Sequence, residues 1–291
     1  MRIGTRGSAL ALCQAQWVAA RLEQGGVQVE LVSLTTSGDR GEGVSDKSRW
    51  ISELERALLD DRIDLAVHSA KDVPAELADG TELVAFPPRE DPRDALCGAP
   101  SLQALPRGAR VGTSSLRRAA QLRAVREDLE VVELRGNVDT RLRRLQEPAV
   151  DTIVLALAGL RRLGRESAVG AVLEELVPAA GQGALALQAR SGSAAAATAG
   201  ALNDPVTAAC VTAERALTAA LGASCQTAVG ALATPANAEN QVELHAWAGL
   251  PDGSEWISDR LTGPADRVGE AVAERMLAAG AGELLRRAEA M

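Results

Sequence analysis

One pattern occurs twice in this chain and limits what it can fold into. Arg2-Ile3-Gly4-Thr5-Arg6-Gly7-Ser8 leads into an apolar helix pattern from Ala9 to Leu22. Later, Arg110-Val111-Gly112-Thr113-Ser114-Ser115 leads into a second helix pattern from Leu116 to Val125. Both read as strand, Gly-Thr turn, serine cap and helix. A further helix–strand pair follows each copy. Ile51 to Leu59 precedes a strand at Asp64–Val67, and Thr140 to Leu145 precedes one at Asp151–Leu155. Strands alternating with helices build a sheet covered on both faces. At 291 residues the chain exceeds one ordinary domain. The simplest account is two α/β lobes of one design facing each other across a cleft. The linker is Pro87-Pro88-Arg89-Glu90-Asp91-Pro92-Arg93, stiffened by its prolines. A second crossover is expected near Pro178–Gly183, with Ala184–Leu187 as a strand able to return to the first lobe.

The pattern changes after Asn203-Asp204-Pro205. A helix is expected from about Val206 to Leu221, then the loop Gly222-Ala223-Ser224-Cys225-Gln226. Three strand-like segments follow, Val229–Ala233, Val242–Ala248 and Glu255–Leu261, with a turn at Pro251-Asp252-Gly253. One amphipathic helix is expected over about Ala265 to Ala288. This describes a small α+β third domain with a three-stranded antiparallel sheet. With no tyrosine and a single phenylalanine, the cores must be built from Ala, Val, Leu and Ile.

Composition excludes several function classes. A net charge of −8 argues against general binding to nucleic acid or anionic membranes. Cys13, Cys97, Cys210 and Cys225 lie far apart, and only two histidines accompany them, so no zinc site is expected. That cysteine usage suits a reducing cytosol. No apolar run reaches membrane-spanning length.

The most informative chemistry lies at Val67-His68-Ser69-Ala70-Lys71-Asp72-Val73-Pro74. Pro74 cannot donate to a ladder, so Lys71 and Asp72 fall where a buried strand runs out into a loop. In open α/β sheets, ligands bind outside those carboxyl ends. Lys47 and Lys71 are the only lysines. A carboxylate here can stabilise a developing cation or shuttle a proton. Set against this is a solvated strand-end ion pair of little worth. His68 itself reads as a satisfied strand histidine.

Arginines form the second group. Arg6, Arg117, Arg118, Arg135, Arg141, Arg161 and Arg162 lie near expected strand ends or helix starts, where an arginine fork can grip a carboxylate or phosphate. No P-loop or G-x-G-x-x-G accompanies them. Arg123, Arg126, Arg143 and Arg144 read as a solvated helix face. Cys225 sits in a loop of small and polar residues, where accessibility favours thiolate chemistry. Cys13 and Cys210 read as packed small hydrophobes.

These segments together resemble the porphobilinogen deaminase family. The resemblance rests on Ile3-Gly4-Thr5-Arg6-x-Ser8, the stretch Ala66 to Pro74, Arg89 to Asp94, Val111 to Arg118, Leu134 to Leu142, Ala158 to Gly164, Pro178 to Ala184 and Val211 to Ala216. They occur in family order over almost the whole chain.

The resemblance implies two lobes like those of periplasmic binding proteins, with mixed sheets, plus the small C-terminal domain. The implied domains are 1–87 with about 184–202, 93–180, and 206–291. It implies a cytosolic monomer that joins four porphobilinogen units head to tail, releasing ammonia each time, to give the linear tetrapyrrole hydroxymethylbilane. It also implies a covalent dipyrromethane cofactor held as a thioether on Cys225. Asp72 and Lys71 align with the catalytic pair. Ser115, Arg117, Arg118, Arg135 and Gln182 align with cofactor contacts, as do Lys71 and Asp72. Arg6, Ser8, Arg141, Arg162 and Lys47 align with substrate contacts.

The chemistry matches the residues. Loss of ammonia leaves an electrophilic azafulvene, which a carboxylate near the pyrrole N–H groups stabilises. Each added pyrrole brings two carboxylates, which calls for many arginines. Two stretches depart from the family pattern: the Gly222-Ala223-Ser224-Cys225 loop and a shortened Gly41–Trp50 lid, in which Lys47 and Trp50 keep the lid's lysine and aromatic positions. The rival readings are a non-catalytic two-lobed anion-binding protein and a transferase acting on phosphorylated or acyl substrates.

Overall fold

The computed structural model describes residues 1–34, 47–223, 227–236 and 240–291, with the backbone alone at 47–50. Contacts divide the chain into two compact units, Met1–Glu90 with Ala184–Ala208, and Asp91–Gly183 with Ala209–Met291.

The first unit holds β1 (Arg2–Arg6), α1 (Ala9–Gln24), β2 (Glu30–Leu34), α2 (Lys47–Leu59), β3 (Leu65–Ser69) and β4 (Thr81–Ala85), joined much later in the chain by β10 (Leu185–Arg190) and α6 (Ala194–Gly200). The sheet order is β2-β1-β3-β10-β4. β1 runs parallel to β2 and β3, whereas β10 is antiparallel to both β3 and β4. The return of the chain after Gly183 is therefore real, and it fills an internal position. β3 is apolar from Leu65 to Val67 and buried through His68 because both faces are covered. Leu65 and Val67 pack with Ile3, Val18, Leu22 and Leu187 on one face, and Ala66 packs with Leu54, Leu58 and Ile63 on the other. Each such buried Leu or Ile contributes about 1.5–3 kcal/mol. Gly4 makes room for its neighbours, since a Cβ there would lie 2.3 Å from Ile63 Cδ1 and the Ile63 and Leu54 side chains would have to shift. Ser8 caps α1, its Oγ accepting from the Ala11 N–H at 3.3 Å.

The second unit repeats this plan. It contains β5 (Asp94–Cys97), β6 (Arg110–Thr113), α3 (Leu116–Val125), β7 (Glu130–Glu133), α4 (Val138–Arg144), β8 (Thr152–Ala156), α5 (Leu157–Arg162) and β9 (Val169–Leu173). Its order is β7-β6-β8-β5-β9, with β5 antiparallel to β8 and β9. Period-two alternation splits its core. Leu96 and Val154 face Val111 and Leu122, while Ala95, Cys97, Ile153 and Leu155 face Leu134 and Leu160. Gly112 matches Gly4, for a Cβ there would sit 2.9 Å from Leu134 Cδ2. Two sequence expectations shift. α4 starts two residues early because Asn137 caps it through the Thr140 N–H. Arg161 and Arg162 lie in the last turn of α5 rather than in a strand-end loop.

α7 (Pro205–Ala220) leads into the antiparallel sheet of β11 (Val229–Pro235), β12 (Gln241–Gly249) and β13 (Trp256–Pro264). One face of this sheet buries Ala231, Leu244 and Ala246 against Leu217, Val272 and Met276. On the other face Trp247 packs against Ala120 of α3 and Val177. The turn at Gly253 (φ +76°) approaches α3 so closely that a Cβ would lie 2.6 Å from the Ala124 nitrogen. The single C-terminal helix expected from the sequence is instead two, α8 (Val268–Ala278) and α9 (Ala281–Glu289). Gly280, at φ +102°, breaks it by leaving the right-handed helical region.

Candidate functional site

β3 delivers the acid where the sequence places it. The strand ends at Ser69, and Ala70–Asp72 form a short 3-10 turn. Ala70 is buried and its N–H bonds to Ala184 O at 3.0 Å, which anchors the turn to the strand that returns. Lys71 and Asp72 line a cavity of about 100 Å3 together with Arg6, Ser8, Gln14 and His68. The structure thus gathers four of the expected site residues, Arg6, Ser8, Lys71 and Asp72, around one space. It adds two that the sequence reading did not assign. Gln14 is buried, and its Nε2 has no partner among the described residues. His68 is buried on β3 with its Nε2 2.9 Å from Gln188 Oε1. Burial pushes its pKa down to about 4, against the opposing pull of Gln188, Glu55 and Asp72, so the ring is neutral near pH 7.

The arginine set of the second unit is organised around a residue the sequence reading passed over. Asp94 is fully buried. Its Oδ2 accepts from Arg117 Nη1 at 2.8 Å, and its Oδ1 from Arg118 Nε (3.0 Å) and Nη2 (2.8 Å) and from Gln182 Nε2 (2.8 Å). Burial alone would raise the Asp94 carboxyl, but the charges and hydrogen bonds of Arg117 and Arg118 outweigh it and hold it well below the carboxylate range. Arg118 also donates to Val154 O (3.1 Å) and Arg117 to Val177 O (2.8 Å). Most of the Arg118 fork is therefore committed within the protein, whereas the buried Nε of Arg117 has no partner among the described residues.

The remaining candidates divide by environment. Ser115 caps α3, accepting from the Arg118 N–H at 3.4 Å. Arg141 reaches Ser114 Oγ at 2.9 Å, and its buried Nε lacks a partner among the described residues. Burial, reinforced by the nearby charge of Arg118, lowers its pKa to about 10. Arg162 donates to Gly183 O at 2.6 Å. Arg135 is solvent-exposed beside Glu133. Cys225, the lid from Gly41 to Asp46 and the side chains of 47–50, Lys47 among them, lie outside the described residues. Two arginines expected on a solvated face do other work. Arg126 clamps Leu102 O, Leu105 O and Asp128, and Arg123 donates to Pro251 O at 2.7 Å. Both carry loop carbonyls that a helical pattern cannot reveal. Cys97 is buried, which raises its thiol to about 11 and keeps it from acting as a nucleophile.

Comparison with known proteins places this arrangement. The family profile described as porphobilinogen deaminase, dipyromethane cofactor binding domain, matches residues 1–198, and the profile for the porphobilinogen deaminase C-terminal domain matches residues 208–278. A porphobilinogen deaminase of Thiobacillus denitrificans is 46% identical over 98% of this chain and 97% of its own. One of Geobacter sulfurreducens is 42% identical over 98% of this chain and 93% of its own. Among solved structures, a periplasmic substrate-binding protein of Coxiella burnetii is similar at 15% identity and a TM-score of 0.44, over 72% of this chain and 94% of that one. No helix among the described residues is long and apolar enough to cross a membrane. With both profiles matched in order and relatives aligned over nearly the full length, the chain belongs to the porphobilinogen deaminase family.

Proposed function

We propose that this chain joins four porphobilinogen molecules into hydroxymethylbilane, with Asp72 as the carboxylate that stabilises the cation left when ammonia departs. The observation carrying this assignment is the placement of Asp72 and Lys71 on an anchored turn lining a cavity shared with Arg6 and Ser8. A carboxylate there lowers the energy of an adjacent pyrrole cation most where water is restricted. Arg6, Ser8 and Lys47 receive the acetate and propionate groups of porphobilinogen, as do Arg141 and Arg162. Lys71 holds the charge of Asp72 in balance and contributes a further carboxylate donor.

The second unit's donors fit a group bearing several carboxylates. Arg117 and Arg141 each keep a buried Nε without a partner among the described residues, and Arg141 is desolvated beside another cation. A dipyrromethane on Cys225 supplies, when bound, the pyrrole carbon to which the first substrate unit adds. Arg117 and Arg135 are the residues that grip its carboxylates. Arg118, Ser115 and Gln182 hold the frame from which they do so, and Lys71 and Asp72 meet its pyrrole N–H side. The working protein is a cytosolic monomer of three domains, 1–87 with about 184–202, 93–180, and 206–291.

Intact-mass measurement tests the reading. Incubation with porphobilinogen is expected to leave an adduct of two linked pyrroles, lost in Cys225→Ser. An unmodified and inactive wild-type protein would favour the non-catalytic anion-binding alternative.

A further inference from the structure

A chain of buried hydrogen bonds fixes the state of one ring in the Asp72 cavity. Thr81 spends its only hydroxyl hydrogen on Ala78 O, at 2.7 Å. Its oxygen therefore accepts from Gln188 Nε2 at 2.9 Å. Glu55 Oε1 takes the Ala78 N–H at 3.0 Å and Gln188 Nε2 at 2.9 Å. Both hydrogens of the Gln188 amide nitrogen are thus committed, and its oxygen is the atom facing His68 Nε2 at 2.9 Å. An amide oxygen can only accept. Nε2 of His68 must carry the hydrogen, and Nδ1 of the neutral ring is a bare lone pair. That bond through Nε2 is the ring's only hydrogen bond recorded among the described residues. The imidazole lines the cavity with Arg6, Ser8, Gln14, Lys71 and Asp72.

We propose that Nδ1 of His68 accepts a hydrogen bond from the aminomethyl ammonium of porphobilinogen and orients its carbon–nitrogen bond for cleavage. The proposal rests on the functional reading above. A primary ammonium brings three N–H donors. Among the described residues, the charged side chains lining this cavity are the cations Arg6 and Lys71 and one carboxylate, Asp72, which the pyrrole N–H and the developing cation require. A neutral acceptor meets the ammonium without the deep ground-state stabilisation that a second carboxylate would give. When the bond breaks, its electron pair leaves with nitrogen as neutral ammonia and the positive charge stays on the pyrrole. His68 gains no proton, so the same ring serves every cycle. Gln188, arriving on β10, is the residue that holds the ring in this tautomer.

Two substitutions separate the halves of the ring. His68→Gln places an amide nitrogen near Nε2 and can keep the bond to Gln188, but it has no acceptor at the Nδ1 position. His68→Asn places an oxygen near Nδ1 and cannot reach Gln188. Both would be assayed as cofactor-loaded, full-length protein, with porphobilinogen and with its hydroxymethyl analogue, which carries no ammonium. His68→Gln is expected to lose about 10- to 100-fold in kcat/KM on porphobilinogen, the range for a hydrogen bond to a charged group, and several-fold less on the analogue. His68→Asn is expected to stay within about fivefold of wild type on porphobilinogen despite a lower Tm. The proposal is overturned if His68→Gln matches wild type, or if both variants lose equally on both substrates in step with Tm. Wild-type protein that fails to consume porphobilinogen would overturn the functional reading, and this proposal with it.

Discussion

The two five-stranded lobes share a topology and spend their polar residues in opposite ways. In each, the first of the three parallel strands opens with an arginine whose backbone N–H and side chain hold an aspartate just before the third, Arg2 with Asp64 and Arg110 with Asp151. Each inserts an antiparallel strand carrying a buried polar side chain, Gln188 on β10 and Asp94 on β5. The exits of the third strands then diverge. After β3 come Lys71 and Asp72 at a cavity, and after β8 come Leu157, Ala158 and Leu160, all buried. In the second lobe the acid has moved inside and is neutralised by two arginines. In the first a carboxylate stands just past the strand end, lining the cavity. A duplicated frame thus yields one lobe with a carboxylate at a cavity and one with a buried carboxylate outnumbered by its two arginines.

The largest expected effect breaks this comparison at its centre. Asp72→Asn removes the charge at the β3 exit with little change of shape, and turnover should fall about 10^3-fold or more while thermal unfolding is unchanged. Steady-state kinetics beside calorimetry would show it. The opposite outcome is expected at the buried acid. Asp94→Ala strands two guanidinium groups in the interior and should cost about 3–5 kcal/mol, read as a lower denaturation midpoint.

The third test uses pH. His68 holds a pKa near 4 in the fold against about 6.5 when unfolded, so the unfolded chain binds the extra proton as pH falls. Stability should drop between pH 6.5 and 4, by about 2 kcal/mol at pH 5. His68→Gln should flatten that limb relative to wild type in urea titrations at pH 7 and 5. The depressed Asp94 carboxyl acts in a different window. Its contribution is complete above about pH 4, the ordinary carboxylate value, and is lost only as pH falls further toward its lowered pKa.

The smallest effect sharpens the repeat itself. Gln14 and Gln121 each lie six residues after the serine that caps their helix. Gln121 is satisfied, donating to Val177 O at 2.9 Å and accepting from the Val177 N–H at 2.7 Å. Gln121→Leu should cost about 1–3 kcal/mol by orphaning both groups. Gln14→Leu should leave stability unchanged or higher and instead raise KM severalfold, since its Nε2 has no protein partner among the described residues to lose.

How far the sequence carried this picture depended on whether the signal was local. Asp72 was legible because a proline and an apolar run bracket the end of its strand. The repeat was legible because Gly4 and Gly112, each packed closely by neighbouring side chains, recur in the same words. Asp94 was not legible. It follows a proline-rich linker and resembles a solvated acid, and its partners lie more than twenty residues away in sequence. Arg126 was misread for the same reason, since the carbonyls it clamps belong to a distant loop. The break at Gly280 hid inside an alanine-rich stretch with strong helical periodicity, where one positive φ decides the outcome.

The position of β10 also bears on how the protein is made. During translation the first lobe emerges first, yet the strand between β3 and β4 leaves the ribosome only after the entire second lobe. The nascent sheet must wait with two unsealed edges, whereas the second lobe has all five of its strands by residue 173. Because β10 also brings Gln188, the same late arrival that closes the sheet sets the imidazole tautomer. A chain truncated before that strand would lack both a finished lobe and a competent pocket.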